Sequence, residues 1–341
     1  MTEVWDTGVP QHEVWGENDQ PIDPRRSVIT QGLHHIMATR LQFEGRPLGV
    51  LYVDARRLNR DFTAAEYRVF RTVSGLVSAA IENTRLEAKN AEATAERVRI
   101  ARQIDLANEV QQGLFPSDFE PPPGFDMAGV GRVCKDLSGD FYDVIPRPDG
   151  RVALVMGDVS DHGIAPALYM ATARGLLRSM MASDVPADES LRRLNADLAR
   201  DLKEGDFVTL FLGLLDPETR ALSYASAGHP VWVRSGDGEI RVLERTGCLL
   251  GPVPDAQYGV EGPEVLASGD ILLLFTDGAH DVQDEDEERW GEPAFRAAFQ
   301  RRAAEGGDAH TILAALVDDI DTYRGSRSLP DDVTILVVRA S

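Results

Sequence analysis

At 341 residues, with 43% hydrophobic and 27% charged side chains, the chain has room for two domains that each bury a core. A formal net charge of −21 argues against a nucleic-acid backbone or an anionic membrane as partner, and no apolar run nears the ~20 residues of a bilayer span. Cys134 and Cys248, the two cysteines, show no metal-ligand spacing and no basis for a disulfide framework, and no signal peptide leads the chain, so a cytoplasmic protein is expected.

Residues 1–27 are polar and aperiodic. Two strand-like runs, 36–43 and 48–54, flank the turn Glu44-Gly45-Arg46-Pro47 and predict a hairpin. Thr63-Ala64-Ala65-Glu66 is a capping box. Behind it Val69, Phe70, Val73, Leu76, Val77, Ala80 and Ile81 recur at helical spacing, so an amphipathic helix is expected to pack on the hairpin. From residue 82 the helical pattern continues without Pro, and without Gly until Gly113. Heptad steps give Leu76, Ala79, Asn83, Leu86, Asn90, Ala93, Arg97, Ile100, Ile104, Ala107, Gln111 and Leu114. That seam is apolar at its ends and polar in the middle, which suits a weak, register-specific coiled coil. Two readings stand: an exposed connecting helix, or a dimerising signalling helix over 62–114 that acts as a two-state element.

Pro116 and Pro121-Pro122-Pro123 mark a boundary. Beyond it strands are expected at 127–133, 140–145, 151–157, 208–215, 221–225, 231–233, 239–243, 270–275 and 332–338. Helices are expected at 165–181, 188–203, 292–304 and 309–323. Pro148-Asp149-Gly150 and Asp216-Pro217-Glu218-Thr219 read as hairpin turns. Hairpin-linked strands separated by helix pairs predict a layered α+β fold rather than a doubly wound one.

Four acidic motifs carry the chemistry: Ser138-Gly139-Asp140-Phe141-Tyr142-Asp143, Gly157-Asp158-Val159-Ser160-Asp161-His162-Gly163, Phe275-Thr276-Asp277-Gly278 and Pro330-Asp331-Asp332-Val333-Thr334. Taken singly, an Asp in such a place is more often a turn former or cap than a ligand. Together they set carboxylates at the edges of apolar strands, an oxygen-only set of the kind that holds two hard cations roughly 3.5–4 Å apart. Unaided, this chemistry indicates a Mg²⁺ or Mn²⁺ site and names no substrate.

With Glu109-Val110-Gln111-Gln112-Gly113-Leu114-Phe115-Pro116, Phe207-Val208-Thr209-Leu210-Phe211 and Ala227-Gly228-His229-Pro230 in the same order, the stretch 107–338 resembles the PPM-type serine/threonine phosphatases. The bacterial branch of sporulation stage II protein E and the sigma-regulating phosphatase RsbU is the one it is similar to. The resemblance implies an antiparallel β-sandwich flanked by helix pairs, with two Mn²⁺ or Mg²⁺ ions between the sheets. It implies hydrolysis of phosphoserine or phosphothreonine by a water activated between those metals, with no covalent nucleophile. Carried over by motif, Asp140, Asp158, Asp277 and Asp331 are the catalytic carboxylates. Asp140 and Asp158 are core ligands, Asp158 bridges both metals, and the Val159 carbonyl is a further ligand. Asp277 and Asp331 complete the other shell, with Asp332 and Asp143 as outer or additional positions. The implied substrate is a phosphorylated anti-sigma-factor antagonist of the STAS type.

Two details depart from the usual pattern: Ser138 stands where glycine is common, and Asp161-His162 stands where Gly-Lys or Gly-His is common. His162 is read either as a proton donor to the leaving oxygen or as a structural or phosphate-positioning residue, and His229 as a loop-ordering residue or a metal ligand. The segment 49–86 resembles the closing section of a GAF domain whose first half has no room before residue 28. The expected organisation is a partial GAF-like α/β sensory domain at 1–82, a helical linker at 83–115 and the phosphatase domain at 116–341. A rival reading is a non-enzymatic, metal-binding signalling adaptor. A two-metal nucleotidyl cyclase or phosphodiesterase lacks the basic, phosphate-cradling loop it would need.

Overall fold

The structure, a computed structural model, describes residues 6, 11–14, 35–55, 62–116, 119–134 and 137–341. Most of the aperiodic segment expected at 1–27 lies outside these residues. The chain divides into two compact units, Met1–Ala101 and Arg102–Ser341. Among the described residues, no helix is long and apolar enough to cross a membrane, and Cys134 and Cys248 form no disulfide.

The first unit contains an antiparallel sheet of β1 (Gln11–Val14), β2 (His35–Phe43) and β3 (Arg46–Ala55) in that order. The expected hairpin is β2–β3, but its turn is only Glu44-Gly45, both at positive φ (47° and 80°). Two such residues twist the chain in the sense the flanking strands require, so pairing resumes at Arg46. β1 has too few residues for a periodic signal and joins the sheet edge through its backbone.

Helix α1 (Ala64–Gln112) follows as 49 uninterrupted residues. Its capping box closes as read: the Thr63 N–H donates to Glu66 Oε2 at 2.7 Å, and the Glu66 N–H donates to Thr63 Oγ1 at 3.3 Å. The buried face differs from expectation. Phe70, Ser74 and Ser78 are buried, whereas Val69, Val73 and Leu76 are 63%, 43% and 67% exposed. Both serines donate to carbonyls of their own helix, Arg71 O and Ser74 O, each at 2.8 Å. A self-satisfied hydroxyl can line a packed face, and apolar periodicity does not register it.

In the second unit the strands are β4 (Phe125–Arg132), β5 (Phe141–Pro146), β6 (Val152–Val159), β7 (Val208–Asp216), β8 (Ala221–Ala227), β9 (Val231–Arg234), β10 (Ile240–Leu243), β11 (Glu261–Val265), β12 (Ile271–Phe275) and β13 (Val333–Ala340). The helices are α2 (Ile164–Met181), α3 (Ala187–Asp201), α4 (Glu292–Glu305) and α5 (Ala309–Arg324). Every strand and helix expected beyond 116 is present. β11 carries no strand signal in the sequence, because Gly262 and Pro263 interrupt an exposed, charged run of the kind only an edge strand tolerates.

The strands form two five-stranded antiparallel sheets, ordered β10-β9-β12-β13-β4 and β11-β8-β7-β6-β5. Alternation along each strand divides its side chains between two cores. Leu154 and Met156 of β6 meet Leu272 and Leu274 of β12 and Leu336 and Val338 of β13 between the sheets. Ala153 and Val155 of β6 face Met170, Leu177, Leu191 and Leu194 of α2 and α3. On the opposite side, Ile271, Leu273, Ile335 and Val337 face Phe295, Phe299, Ile312 and Leu316 of α4 and α5. The unit is thus an α-β-β-α sandwich, and because both faces of its central strands are buried they read as unbroken apolar runs.

Candidate metal centre

At one end of the sandwich, β6 leaves one sheet while β12 ends and β13 begins in the other. Asp158 is the penultimate residue of β6. Asp277 opens a short 3-10 turn directly after β12. Asp331 and Asp332 immediately precede β13, and Asp140 immediately precedes β5, the neighbour of β6. Register places these ends together: Phe141 is opposite Gly157, and Phe275 is opposite Ile335.

Burial and the mutual charge of these carboxylates both act on their protonation. Burial, followed by the charges of Asp277 and Asp331, pushes Asp158 up to about 7. Burial and the charge of Asp158 lift Asp140 well above the ordinary carboxylate range. Asp331 is raised by burial and then by Asp277 and Asp332, while His162 favours its ionised form. Asp277 is exposed, so the cluster opens to solvent on that side. Burying a group of mutually repelling carboxylates is costly unless positive charge is supplied. An all-oxygen donor set of this kind fits Mg²⁺ or Mn²⁺.

The supporting shell is well ordered. Asp140 Oδ2 accepts from Thr276 Oγ1 at 2.6 Å, and Thr276 Oγ1 in turn accepts from the Thr334 N–H at 3.1 Å, linking three of the motifs. Both oxygens of buried Asp332 accept backbone N–H groups, from Cys134 at 2.8 Å and Gly139 at 3.1 Å. Ligand atoms of Cys134, Asp331 and Asp332 lie within 4.8 Å of one another, a proximity that no local spacing encodes. Gly139 is held so closely that a Cβ would sit 2.8 Å from the Val159 carbonyl, and a Cβ on Gly278 would sit 1.9 Å from the Asp332 carbonyl. These two motif glycines are there for close approach.

Gln111, near the end of α1, is buried and grips the first acidic loop from both sides. Its Nε2 donates to Ser138 O at 2.8 Å and its Oε1 accepts from the Ser138 N–H at 2.8 Å. Gln111 and Leu114 fall on the heptad seam by spacing, but both are used inside the second unit, Leu114 against the core under α2 and α3.

His229 is buried, with Nε2 3.0 Å from Phe275 O and Nδ1 2.8 Å from Thr209 Oγ1. A carbonyl only accepts, so Nε2 carries the proton and Nδ1 accepts from the threonine. Burial depresses this imidazole to about 4. It is a neutral strut beneath the Asp277 turn, in line with the loop-ordering reading.

Asp143 is fully buried and pairs with Arg178 through two bonds of 2.6 and 2.7 Å, with Arg174 at 3.0 Å. Its carboxylate faces α2, so the second-choice metal role does not fit it. Asp161 occupies the left-handed region at φ 70°, where a glycine would be unstrained, and accepts from the His162 N–H at 2.8 Å. Aspartate is among the few side chains that tolerate this region, which accounts for its place in a glycine position.

The family model described as stage II sporulation protein E (SpoIIE) matches residues 148–341. The chain is 27% identical over 265 residues to protein IcfG of Synechocystis sp., covering 69% of this chain and 41% of that protein. It is 26% identical over 188 residues to phosphoserine phosphatase RsbU of Bacillus subtilis, covering 54% of this chain and 56% of that protein. The chain thus spans about half the length of the curated relatives it matches. Among solved structures, the SiaA-PP2C domain of Pseudomonas aeruginosa superposes with a TM-score of 0.61 at 22% identity, over 72% of this chain and 99% of that domain. That likeness identifies the sandwich as a PP2C-type fold.

Proposed function

The chain belongs to the stage II sporulation protein E (SpoIIE) family, and from that premise we propose that it is a metal-dependent protein serine/threonine phosphatase. The observation that carries this reading is the convergence of Asp158, Asp277 and Asp331 from the ends of strands in two sheets, where burial first and then the charges of Asp277 and Asp331 raise Asp158 to about 7. Similarity to a phosphoserine phosphatase supports the same activity.

In this reading Asp158, Asp277, Asp331 and the Val159 carbonyl hold two Mn²⁺ or Mg²⁺ ions. Asp140 completes the set from the β5 side, and Asp332 braces the loops from behind. When bound, such cations lower the pKa of a coordinated water and neutralise charge on phosphoryl oxygens. The chain's own residues supply position. Thr276 and Gln111 hold the loop of Asp140, His229 holds the end of β12, and Gly139 lets that loop approach Val159. His162, on the exposed side next to Asp331, is placed to meet a substrate phosphate.

The substrate is a phosphorylated STAS-type regulatory protein. Residues 1–82 act as a partial GAF-like sensory domain, and α1 as a homodimerising linker, supported by the exposure of Leu76, Leu86 and Ile100 (67%, 47% and 46%) along its seam. The test is phosphate release from para-nitrophenyl phosphate and from a serine-phosphorylated STAS protein, with Mn²⁺ added or chelated, for wild type and Asp158→Asn. Turnover that needs Mn²⁺ and is lost in the variant supports the enzyme. Folded, metal-loaded protein that hydrolyses neither substrate would move the adaptor reading ahead.

A further inference from the structure

The metal-bearing loop 158–163 runs directly into α2, and the outer face of that helix's first turns is apolar. Ile164 is 59% exposed and Leu168 63% exposed. Four residues apart, they lie on one face of the helix. The core has no use for them, since Pro166, Ala167, Met170 and Ala173 supply the buried face. From Gly163 to Ala173 no side chain carries a charge, in a chain whose formal net charge is −21. α2 also has no acidic residue in its first turn. Beyond Asp161 and His162, the rim formed by the first turns of α2 is therefore uncharged and aliphatic in an otherwise strongly acidic protein.

We propose that Ile164 and Leu168 form a docking surface for the substrate, a folded phosphoprotein that presents an apolar patch beside its phosphoserine or phosphothreonine. The occupant follows from continuity with the cleft and from charge. A protein whose phosphate reaches the carboxylate cluster must also cover the adjoining rim, and an acidic rim would repel a phosphate dianion where this one does not. Paired exposed aliphatic side chains on a rigid helix offer apolar area that a partner surface gains by burying. A small phosphomonoester brings no second protein surface to cover them. The inference rests on the phosphatase reading and adds to it the selection of proteins over small phosphate esters.

The experiment compares kcat/KM on a serine-phosphorylated STAS-domain protein and on para-nitrophenyl phosphate, both with Mn²⁺, for wild type, the double variant Ile164→Ser/Leu168→Ser and the conservative double variant Ile164→Leu/Leu168→Met. The expected result is a loss of roughly ten-fold or more on the phosphoprotein for the serine variant, carried mainly by KM. The small ester should be unaffected, and the conservative variant should retain both activities. Unchanged phosphoprotein turnover would overturn the proposal, as would an equal loss on both substrates, which would mean that the cleft itself had been disturbed. Wild type that turns over the small ester but not the phosphoprotein would overturn docking alone. Wild type that turns over neither would remove the phosphatase reading and docking with it. Should the double variant fail to fold, Leu168→Arg, at a position 63% exposed, carries the same expectation.

Discussion

Gln111 holds Ser138 by both of its backbone groups, with the side-chain amide donating to the carbonyl and accepting from the N–H, each at 2.8 Å. Ser138 lies two residues before Asp140, so the last turn of a 49-residue helix bears directly on the position of a candidate metal carboxylate. Gln111→Leu should strand both buried groups at about 1–3 kcal/mol each. The expected outcome is a folded protein with a lower melting temperature and a higher Mn²⁺ concentration for half-maximal phosphatase rate. An unchanged Mn²⁺ titration would show that the clamp serves stability only.

Asp158 is lifted from 3.8 to about 7. A raised folded value contributes stability that is present below pH 3.8 and lost as pH rises through 7. The difference amounts to something on the order of 4 kcal/mol in metal-free protein. In chelator, Asp158→Asn should therefore gain on wild type as pH rises towards 8. With Mn²⁺ added the order should reverse, and phosphate release should be lost. Thermal melts across pH, with and without metal, check both halves.

His229 shows the opposite sign. Its folded value is depressed from 6.5 to about 4, so its contribution is present above 6.5 and lost as pH falls from 6.5 to 4. The span corresponds to roughly 3 kcal/mol. His229→Gln should melt with a flatter pH dependence over that window. Nitrogen NMR of the wild-type ring at neutral pH should show the proton on Nε2.

Asp143 and Arg178 form a two-bond pair beneath α2, with Arg174 beside them. Asp143→Asn should cost about 2 kcal/mol, less than a fully buried pair would, because Arg178 is 45% exposed. The Mn²⁺ half-saturation point should stay where it is. A shift in metal affinity larger than the stability loss would return Asp143 to the list of ligands.

The polar middle of the α1 seam, Asn83, Asn90 and Arg97, is expected to keep self-association weak. Replacing all three with leucine should tighten a dimer in sedimentation experiments and change the phosphatase rate. If neither oligomeric state nor rate responds, α1 is a connecting helix.

The second unit was legible because its strands are buried on both faces. Ile271-Leu272-Leu273-Leu274-Phe275 has no other reason to be apolar throughout, and the acids just beyond such runs stand out. The first unit was less legible. Ser74 and Ser78 carry a packed face without apolar character, and β1 is only four residues long. Asp143 and Asp140 belong to one motif and look alike in sequence. Strand alternation and the approach of α2 separate them, sending one to Arg178 and leaving the other with Thr276.

The sequence by itself determined the succession of strands and helices beyond residue 116, the identity of the acidic motifs and the capping of α1, since each follows from local periodicity or a few adjacent residues. Tertiary structure decided what lies across long separations. Gln111 meets Ser138, Asp332 meets Cys134 and Gly139, and His229 meets Phe275 because sheet register and loop closure bring them together. Hydrogen bonds and carboxylate repulsion act over a few ångströms of space, and only the folded chain sets which residues fall within that range.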